Sequence, residues 1–192
     1  MKLSHAFGMW ALAAALTVAA VKAQAEVSAT ITVASDYDFR GITQTARDPA
    51  LQGSVDFAHE SGFHAGIWAG NVDFGDDANV EVDYYAGFGG GDTLTWDVGG
   101  VYYSYPDADD LPNYDFGEFY GQLGYRWLTG KLSWSPSYSS TGESAFYYEA
   151  NAAYSLPAGF GLTAHFGRSD GDYWDRYFGD GYTDWSIGLT YT

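Results

Sequence analysis

Cysteine is absent from the 192 residues, and this absence excludes disulfides and metal sites built on thiolate ligands. Basic side chains are also scarce: eight lysines and arginines oppose 25 aspartates and glutamates, so the formal net charge is −17. So acidic a chain repels phosphate groups, which excludes nucleic acid as a partner. After the first 25 residues, no apolar run reaches the roughly 20 residues that a membrane-spanning helix needs.

The N-terminal region has the pattern of a secretory signal peptide over residues 1–25. Lys2 precedes an apolar run at about residues 6–21, and Ala23-Gln24-Ala25 is a small-residue cleavage site before Glu26. A membrane anchor is the less favoured alternative, because the run is short for a spanning helix. Loss of this leader, with its two lysines and no acidic residue, takes the formal charge from −17 to −19. Residues 26–192 are predicted to form a single domain.

Alternation with a period of two dominates the rest of the chain. Between Val27 and Phe39, apolar or aromatic side chains occupy nearly every second position, and polar side chains occupy most of the others. A strand with one apolar face and one polar face has this alternation. The pattern predicts ten strands, near residues 27–40, 50–59, 63–70, 80–88, 93–105, 114–127, 131–138, 145–154, 160–168 and 182–191.

The connections between the predicted strands are alternately long and short. Residues 41–49 and 169–181 are long connections, whereas residues 60–62 and 128–130 are short ones. Outer-membrane barrels have this asymmetry, with short periplasmic turns and longer extracellular loops. The predicted fold is therefore an all-β, antiparallel, up-and-down transmembrane barrel of about ten strands, an even number in the range of about 8–12.

Aromatic residues on the apolar phase also favour a membrane barrel. Tryptophan and tyrosine prefer the two membrane interfaces, whereas aliphatic and small residues fill the band between them. A soluble β-sandwich shares the alternation but has no physical reason for two aromatic belts. The predicted aromatic girdle contains Tyr37, Phe39, Phe57, Trp96, Tyr102, Trp127, Trp134, Tyr154, Trp185 and Tyr191.

The polar phase predicts a net acidic barrel interior. Charged rings that line a lumen select ions by sign, so an acidic excess favours cations. Alternatively, the same groups form an internal network of salt bridges and hydrogen bonds that fills a narrow barrel. The sequence leaves both interpretations open. The candidate lumen residues are Asp36, Asp38, Arg40, Asp56, Glu81, Asp83, Asp97, Glu118, Arg126, Lys131, Glu149, Arg168 and Asp184.

Catalysis and metal binding have little support in the sequence. It contains no Gly-x-Ser-x-Gly, His-Glu-x-x-His or phosphate-binding loop motif. His165 and Asp184 lie on inward phases and could belong to an esterase-like site, but a structural histidine is favoured. The acidic, aromatic loop at residues 169–181 could bind carbohydrate or a divalent cation, but a solvated loop over the barrel mouth is favoured. No enzyme, cofactor or metal site is predicted.

Several motifs resemble a known family. The segment SDYDFRGITQT at residues 35–45 continues into DPALQG at residues 48–53, and EVDYYAG follows at residues 81–87. Together with shorter segments, these motifs resemble the TorF family of proposed porins, also named the Gcw_chp proteins of proteobacteria. The resemblance extends over nearly all of the chain after residue 25. It implies a barrel in the outer membrane and brings no known catalytic or binding residues.

The most specific hypothesis about a single residue concerns Arg40. It lies at the outer end of the first predicted strand, where it could bridge Asp36, Asp38 or Asp48 as a structural clasp at the barrel mouth. The alternative is that Arg40 forms the constriction of a pore. Gly41 follows it and suits a turn.

The predicted function is an outer-membrane porin of a Gram-negative bacterium, with an acidic lumen for passive passage of small solutes or cations. The alternative is a non-conducting barrel with a structural or adhesive role. The expected partners are the lipid bilayer, lipopolysaccharide and, during biogenesis, the barrel-assembly machinery.

Overall fold

The computed structural model describes residues 14–17, 25–108 and 113–192. Most of the predicted signal peptide, and Asp109 and Asp110 of an acidic loop, lie outside the described residues. Within the described part of the chain, no helix is long and apolar enough to cross a membrane. The described structure is almost entirely antiparallel β-sheet, as the alternation predicts.

Thirteen strands, one short α-helix and two 3₁₀ turns make up the described elements. The turns are Tyr138–Ser140 and Pro157–Gly159, and the helix α1 is Asp172–Phe178. The strands are β1 Ala14–Thr17, β2 Ala25–Ala34, β3 Asp38–Phe39, β4 Ile42–Thr43, β5 Ala50–His59, β6 Phe63–Asn71, β7 Val80–Gly90, β8 Leu94–Ser104, β9 Phe116–Tyr125, β10 Leu128–Ser135, β11 Ala145–Ser155, β12 Phe160–Asp170 and β13 Tyr182–Tyr191.

The main sheet has eleven strands rather than about ten. Its order is β1, β2 and then β5 to β13, so each strand from β5 onwards pairs with the one before it in the sheet. Each of the ten predicted segments overlaps one strand of this sheet, although several bounds differ; β2, for example, begins at Ala25 and ends at Ala34 rather than spanning residues 27–40. The additional strand is β1, which falls within the predicted signal peptide and pairs with Thr30–Val33 of β2. The predicted even number is therefore wrong for the main sheet.

Closure of the sheet into a barrel is not observed. In the described residues, no backbone ladder joins β13 to β1 or β2, which lie at the opposite edge of the sheet. The sheet is nevertheless strongly curved. This curvature is evident from one short segment that contacts strands far apart in the strand order. That segment, residues 36–47, follows β2, contains the small β3–β4 sheet, and is called the inward hairpin below.

Two contacts of Arg40 in the inward hairpin demonstrate the curvature. Its guanidinium contacts Glu118 of β9, in the middle of the sheet, and its carbonyl oxygen accepts a 2.9 Å hydrogen bond from Tyr182 of β13. The strand β2, which leads into the hairpin, lies near the other edge. The sheet must therefore wrap around the hairpin for both contacts to form.

Side-chain exposure follows the two faces of the sheet in an inside-out manner. On β7, Glu81 is buried and Asp83 and Tyr85 are half-buried, whereas Tyr84 and Phe88 on the opposite face are exposed. The pleated backbone sends successive side chains to opposite faces, which accounts for this alternation. The polar face is thus the concave, sheltered one, and the apolar face is the outer one.

In the described part of the chain, an apolar core forms beside the inward hairpin and the long loops. Val72, Ala78, Tyr103, Tyr105 and Phe116 are buried there against one another. Tyr103 and Phe116 stack with their ring centroids 4.4 Å apart. Several aromatic side chains from the hairpin and the loops pack onto this cluster, so packed side chains occupy the long-loop end of the sheet.

Gly62 in the β5–β6 turn is predicted to tolerate no side chain. Its φ is 92°, and a Cβ there would collide with the carbonyl oxygen of Gly89. Gly142 is the matched control, with φ of 80° and no atom within 4 Å of the Cβ position. We expect Gly142→Ala to lower the free energy of unfolding by about 1 kcal/mol, for backbone strain alone.

Gly62→Ala should lower the free energy of unfolding by clearly more than Gly142→Ala does, because the clash with Gly89 adds to the backbone strain. Urea unfolding in detergent micelles measures both variants. Equal losses would contradict the described packing of the β5–β6 turn against β7.

Candidate functional site

Arg40 is the centre of the candidate site, which lies on the concave side of the sheet under the long loops. Its φ is 53°, a left-handed conformation that turns the hairpin tip inward, and Gly41 continues the turn with φ of 80°. The Arg40 guanidinium donates two hydrogen bonds, of 2.8 and 2.6 Å, to the two carboxylate oxygens of Glu118. Only 10% of the Arg40 side chain and 4% of the Glu118 side chain are exposed.

Aromatic rings complete the surroundings of this ion pair. The guanidinium lies over the rings of Phe39 and Tyr147, at 4.6 and 4.4 Å from their centroids. Tyr103 donates a 3.3 Å hydrogen bond to Glu118. A planar guanidinium suits a site that combines two parallel hydrogen bonds with ring stacking, which a lysine ammonium does not reproduce.

The structure corrects the predicted partners of Arg40. None of Asp36, Asp38 and Asp48 pairs with it in the described structure; Glu118 does, although it lies 78 residues away in the sequence. Asp36 instead accepts hydrogen bonds from Thr43 and Thr45, and Asp38 accepts one from the Gly41 amide. The two aspartates therefore shape the inward hairpin rather than line the interior.

A second group, beside Arg40, is centred on His165. Its Nε2 lies 2.8 Å from Asp184 Oδ1, and its Nδ1 lies 2.7 Å from Asn151 Oδ1. Tyr147 contacts both His165 Nε2, at 2.9 Å, and the Asp184 carboxylate. Both ring nitrogens are thus engaged with these partners, and among the described residues no serine hydroxyl completes an esterase-like triad.

The remaining inward carboxylates are held by neutral or half-exposed partners. Asp56 accepts hydrogen bonds from Tyr85 and from Ser54, and Asp97 pairs with His64 at 2.7 Å. Glu149 accepts a hydrogen bond from Asn151 and lies 3.9 Å from Lys131 Nζ. Glu81 accepts a 3.3 Å hydrogen bond from Tyr37, whereas Asp83 Oδ1 is buried without a hydrogen-bond donor.

Two predicted lumen residues lie outside the interior. Arg126 is exposed in the two-residue turn between β9 and β10, where its guanidinium stacks on Tyr125. This turn is Arg126-Trp127, so the short connection predicted at residues 128–130 was placed too late. Arg168 alternates in phase with the outward Phe166 and pairs with Asp170 and Asp180 at the long-loop end.

These positions change which charged groups face the interior but not its net acidic excess. Of the basic residues in the described structure, Arg40 and Lys131 are the two that face inward from the hairpin and the sheet. The inward carboxyl groups are Asp56, Glu81, Asp83, Asp97, Glu118, Glu149 and Asp184. Seven carboxyl groups against two basic groups leave an excess of five, as nine against four do in the predicted set, and tyrosine and histidine occupy the place of the missing cations.

Most of the predicted aromatic girdle lies on the outer face, and two members do not. Tyr37 and Phe39 follow the end of β2 and belong to the inward hairpin. There Tyr37 packs on Trp68, at 5.2 Å between centroids, and Phe39 packs on Tyr103. The half-buried Phe57 packs on Phe63, and the exposed members are Trp96, Tyr102, Trp127, Trp134, Tyr154, Trp185 and Tyr191.

The long loops form a layer above the site. The acidic, aromatic loop contains helix α1, whose Trp174 is buried against Tyr138 and Tyr182. A 2.5 Å hydrogen bond from Tyr114 to Asp76 joins two other loops. This bond raises the pKa of Tyr114 to about 12 and lowers the pKa of Asp76.

No metal centre is formed by the described residues. In that part of the chain, no group of three or more histidine, aspartate or glutamate side chains is arranged to hold a metal ion. Several of the inward carboxyl groups described above are instead hydrogen-bonded to neighbouring tyrosine, histidine, serine and asparagine side chains.

The chain belongs to the Gcw_chp family, described as bacterial proteins of unknown function, whose model matches residues 18–192. No curated protein and no solved structure matches the chain. The family match confirms the Gcw_chp part of the resemblance found in the sequence. It does not test the TorF porin name, and the family description assigns no activity to the chain.

The buried Arg40–Glu118 pair is predicted to be the most sensitive contact of the site. Arg40→Met leaves the Glu118 carboxylate buried without its cation, and we expect the free energy of unfolding to fall by about 3–5 kcal/mol. The double variant Arg40→Met with Glu118→Gln should recover part of this loss, because no uncompensated charge remains.

Arg176→Met is the matched control for this prediction. Arg176 pairs with Glu143 on the surface, and 64% of its side chain is exposed, so its loss should cost less than about 1 kcal/mol. Urea unfolding of the three variants and the wild type provides the comparison. Losses of similar size for Arg40→Met and Arg176→Met would contradict a buried, functional ion pair at Arg40.

Proposed function

We propose that this protein is an outer-membrane β-barrel of a Gram-negative bacterium and that its acidic interior is a narrow conduit for small cations, closed in the described conformation by the inward hairpin. The observation that carries the proposal is the inside-out distribution of side chains. Among the described residues, thirty-three large apolar or aromatic side chains are exposed, whereas ten apolar residues are buried.

The exposed apolar surface favours lipid over water as the surroundings of the sheet. Monomeric soluble proteins rarely expose contiguous apolar patches above a few hundred Å². Here exposed aliphatic residues occur on strand after strand, for example Ile31 on β2, Ile67 on β6, Leu123 on β9 and Ile187 on β13. Closure of β13 onto the first strands would remove both open edges, as a membrane environment requires.

The charge of the interior favours cations as the conducted species. Seven inward carboxyl groups and two inward basic groups produce a negative potential along the path. A barrel of about ten strands is narrow, because eight strands already leave an interior that side chains fill. Only small ions or small polar solutes would pass, in keeping with the porin function proposed for the TorF family.

A non-conducting structural or adhesive barrel is the second candidate, and a specific observation favours it. The interior polar groups are extensively paired, and the hairpin together with the aromatic core fills the long-loop end. For either candidate, we expect contact with the lipid bilayer and lipopolysaccharide and assembly by the barrel-assembly machinery. The two differ in whether the hairpin leaves the mouth.

Single-channel current in a planar bilayer decides between the two. We expect the folded wild-type protein to give rare, small current steps, with a reversal potential in a salt gradient that indicates cation preference. The double variant Arg40→Met with Glu118→Gln should raise the open probability about tenfold, because the weaker hairpin contact shifts the equilibrium by about 1.4 kcal/mol.

Arg176→Met should leave the open probability at the wild-type value, because its ion pair lies on the loop surface. No current from folded wild type or from the double variant would reject the conduit and leave the non-conducting barrel.

The membrane location makes a separate prediction that does not depend on current. Ile187 and Leu94 are exposed to similar extents, 57% and 58%, but Ile187 lies in the middle of β13 and Leu94 at the start of β8. In lipid, Ile187→Arg should make folding into vesicles less favourable by about 2–4 kcal/mol, and Leu94→Arg should do so by about 0–1 kcal/mol. Small, equal effects would indicate an outer face in water.

A further inference from the structure

Glu81 and Asp83 form a carboxyl pair directly beneath the inward hairpin. They are two residues apart on β7, so both side chains leave the same, concave face of the sheet. Glu81 is only 2% exposed and Asp83 is half-buried. No lysine or arginine forms an ion pair with either residue in the described structure, because Arg40, the nearby cation, binds Glu118 through both of its terminal nitrogens.

The hydrogen-bond donors around the pair do not satisfy it. Tyr37 of the hairpin donates to Glu81 Oε1, at 3.3 Å. Glu81 Oε2 and Asp83 Oδ1 are buried, and no described group donates a hydrogen bond to either atom. Burying a carboxylate oxygen without a hydrogen-bond donor lowers the stability of the fold. The two atoms therefore need a hydrogen-bond donor that no other described residue provides.

The two carboxyl groups leave one sheltered face two residues apart, and each has a buried oxygen without a hydrogen-bond donor. Two ionised carboxylates are both acceptors and repel one another, and burial disfavours their charged form, so a proton on one of them relieves both costs. The neighbouring titratable groups do not remove these costs. Glu118 adds negative charge, and Tyr37, Tyr103 and Tyr105 are neutral phenols.

A metal ion is a poorer explanation than a proton. The described residues contain no group of three or more acidic or histidine ligands that could hold a metal. A proton needs one acceptor oxygen on each side, and Glu81 and Asp83 provide both.

We propose that Glu81 and Asp83 are a proton-binding site that holds one shared proton at neutral pH and thereby keeps the inward hairpin docked. With the proton present, Glu81 is free to accept the Tyr37 hydrogen bond without a second negative charge beside it. Loss of the proton leaves two like charges under the hairpin, which favours a conformation in which water reaches them. The site itself does not depend on conduction; its control of the mouth rests on the function proposed above.

The sign of the pH effect follows from proton counting. Between about pH 5 and the pH at which the shared proton leaves, the folded protein binds one proton more than the unfolded chain. The folded protein therefore loses stability as the pH rises through that range. Histidines titrate in the same range, but they are present in every variant below and cancel when wild type and variant are compared.

The first measurement is the unfolding rate in urea and detergent micelles from about pH 6 to pH 9. We expect the wild-type rate to rise by about tenfold more than the rate of Asp83→Asn or Glu81→Gln, which corresponds to a change of about one pKa unit. In each variant the new amide donates the hydrogen bond that the proton supplied, so folding is retained while titration is lost. Asp92→Asn, at an exposed turn, is the matched control and should keep the wild-type profile.

The second measurement is the infrared band of a protonated carboxyl group at neutral pH. The band should be present in the wild type and in Asp92→Asn and absent from both pair variants. A wild type without the band, or pair variants with the wild-type pH profile, would overturn the proposal. Stoichiometric binding of Ca²⁺ or Na⁺ that Asp83→Asn abolishes would overturn it in favour of a metal site.

These measurements separate the proton site from the proposed conduit. A wild-type barrel that shows the band and the pH profile but passes no current at any pH supports the proton site and rejects conduction. A barrel that passes current with the same open probability at pH 6 and pH 9 overturns the proposed control of the mouth.

Discussion

Backbone pleating sends successive side chains of a strand to opposite faces of the sheet, and the rest of this molecule depends on that constraint. It places nearly all the large apolar side chains of the strands on the outer face and the carboxyl groups on the concave face. A one-residue shift would reverse both faces at once, so that shift is excluded for each strand. The apolar outer face supports the membrane location proposed above, and the acidic inner face needs cationic partners, of which this chain has few, with eight basic residues.

The same constraint explains what the sequence predicted and where the prediction failed. The strands at residues 50–59 and 182–191 were predicted with the bounds that the structure has, because alternation and flanking turn residues agree there. The first strand was extended to residue 40, yet β2 ends at Ala34, since its partner β5 begins at Ala50 opposite it and the ladder ends. Alternation continues through Tyr37 and Phe39, which have no neighbouring strand of the main sheet, so it no longer indicates which face of that sheet a side chain occupies.

The partners inside the sheet could not be predicted from local sequence. Arg40 and Glu118 are 78 residues apart, and their meeting depends on the curvature of the whole sheet. Arg168 was assigned inward although it shares its phase with Phe166, an error that strict counting would have avoided. Strict counting would also have brought Tyr85 and Tyr147 into the interior set. These tyrosines donate hydrogen bonds to Asp56 and Asp184 without neutralising them, so these two carboxylates gain donors while the interior stays negative.

In the proposed conduit, the inward hairpin is the part that moves, while the main sheet stays as described. Undocking would expose the Arg40–Glu118 pair to water. The hydration that both ions recover would offset most of the attraction they lose, so the ion pair itself contributes little net free energy to docking. The main sheet, by contrast, keeps its backbone ladders in either state, because the hairpin's β3–β4 pair lies outside it. Undocking also moves the guanidinium away from an interior with few other cations, which raises its negative potential. The contact that closes the mouth is therefore also the one whose release would make the interior most attractive to cations.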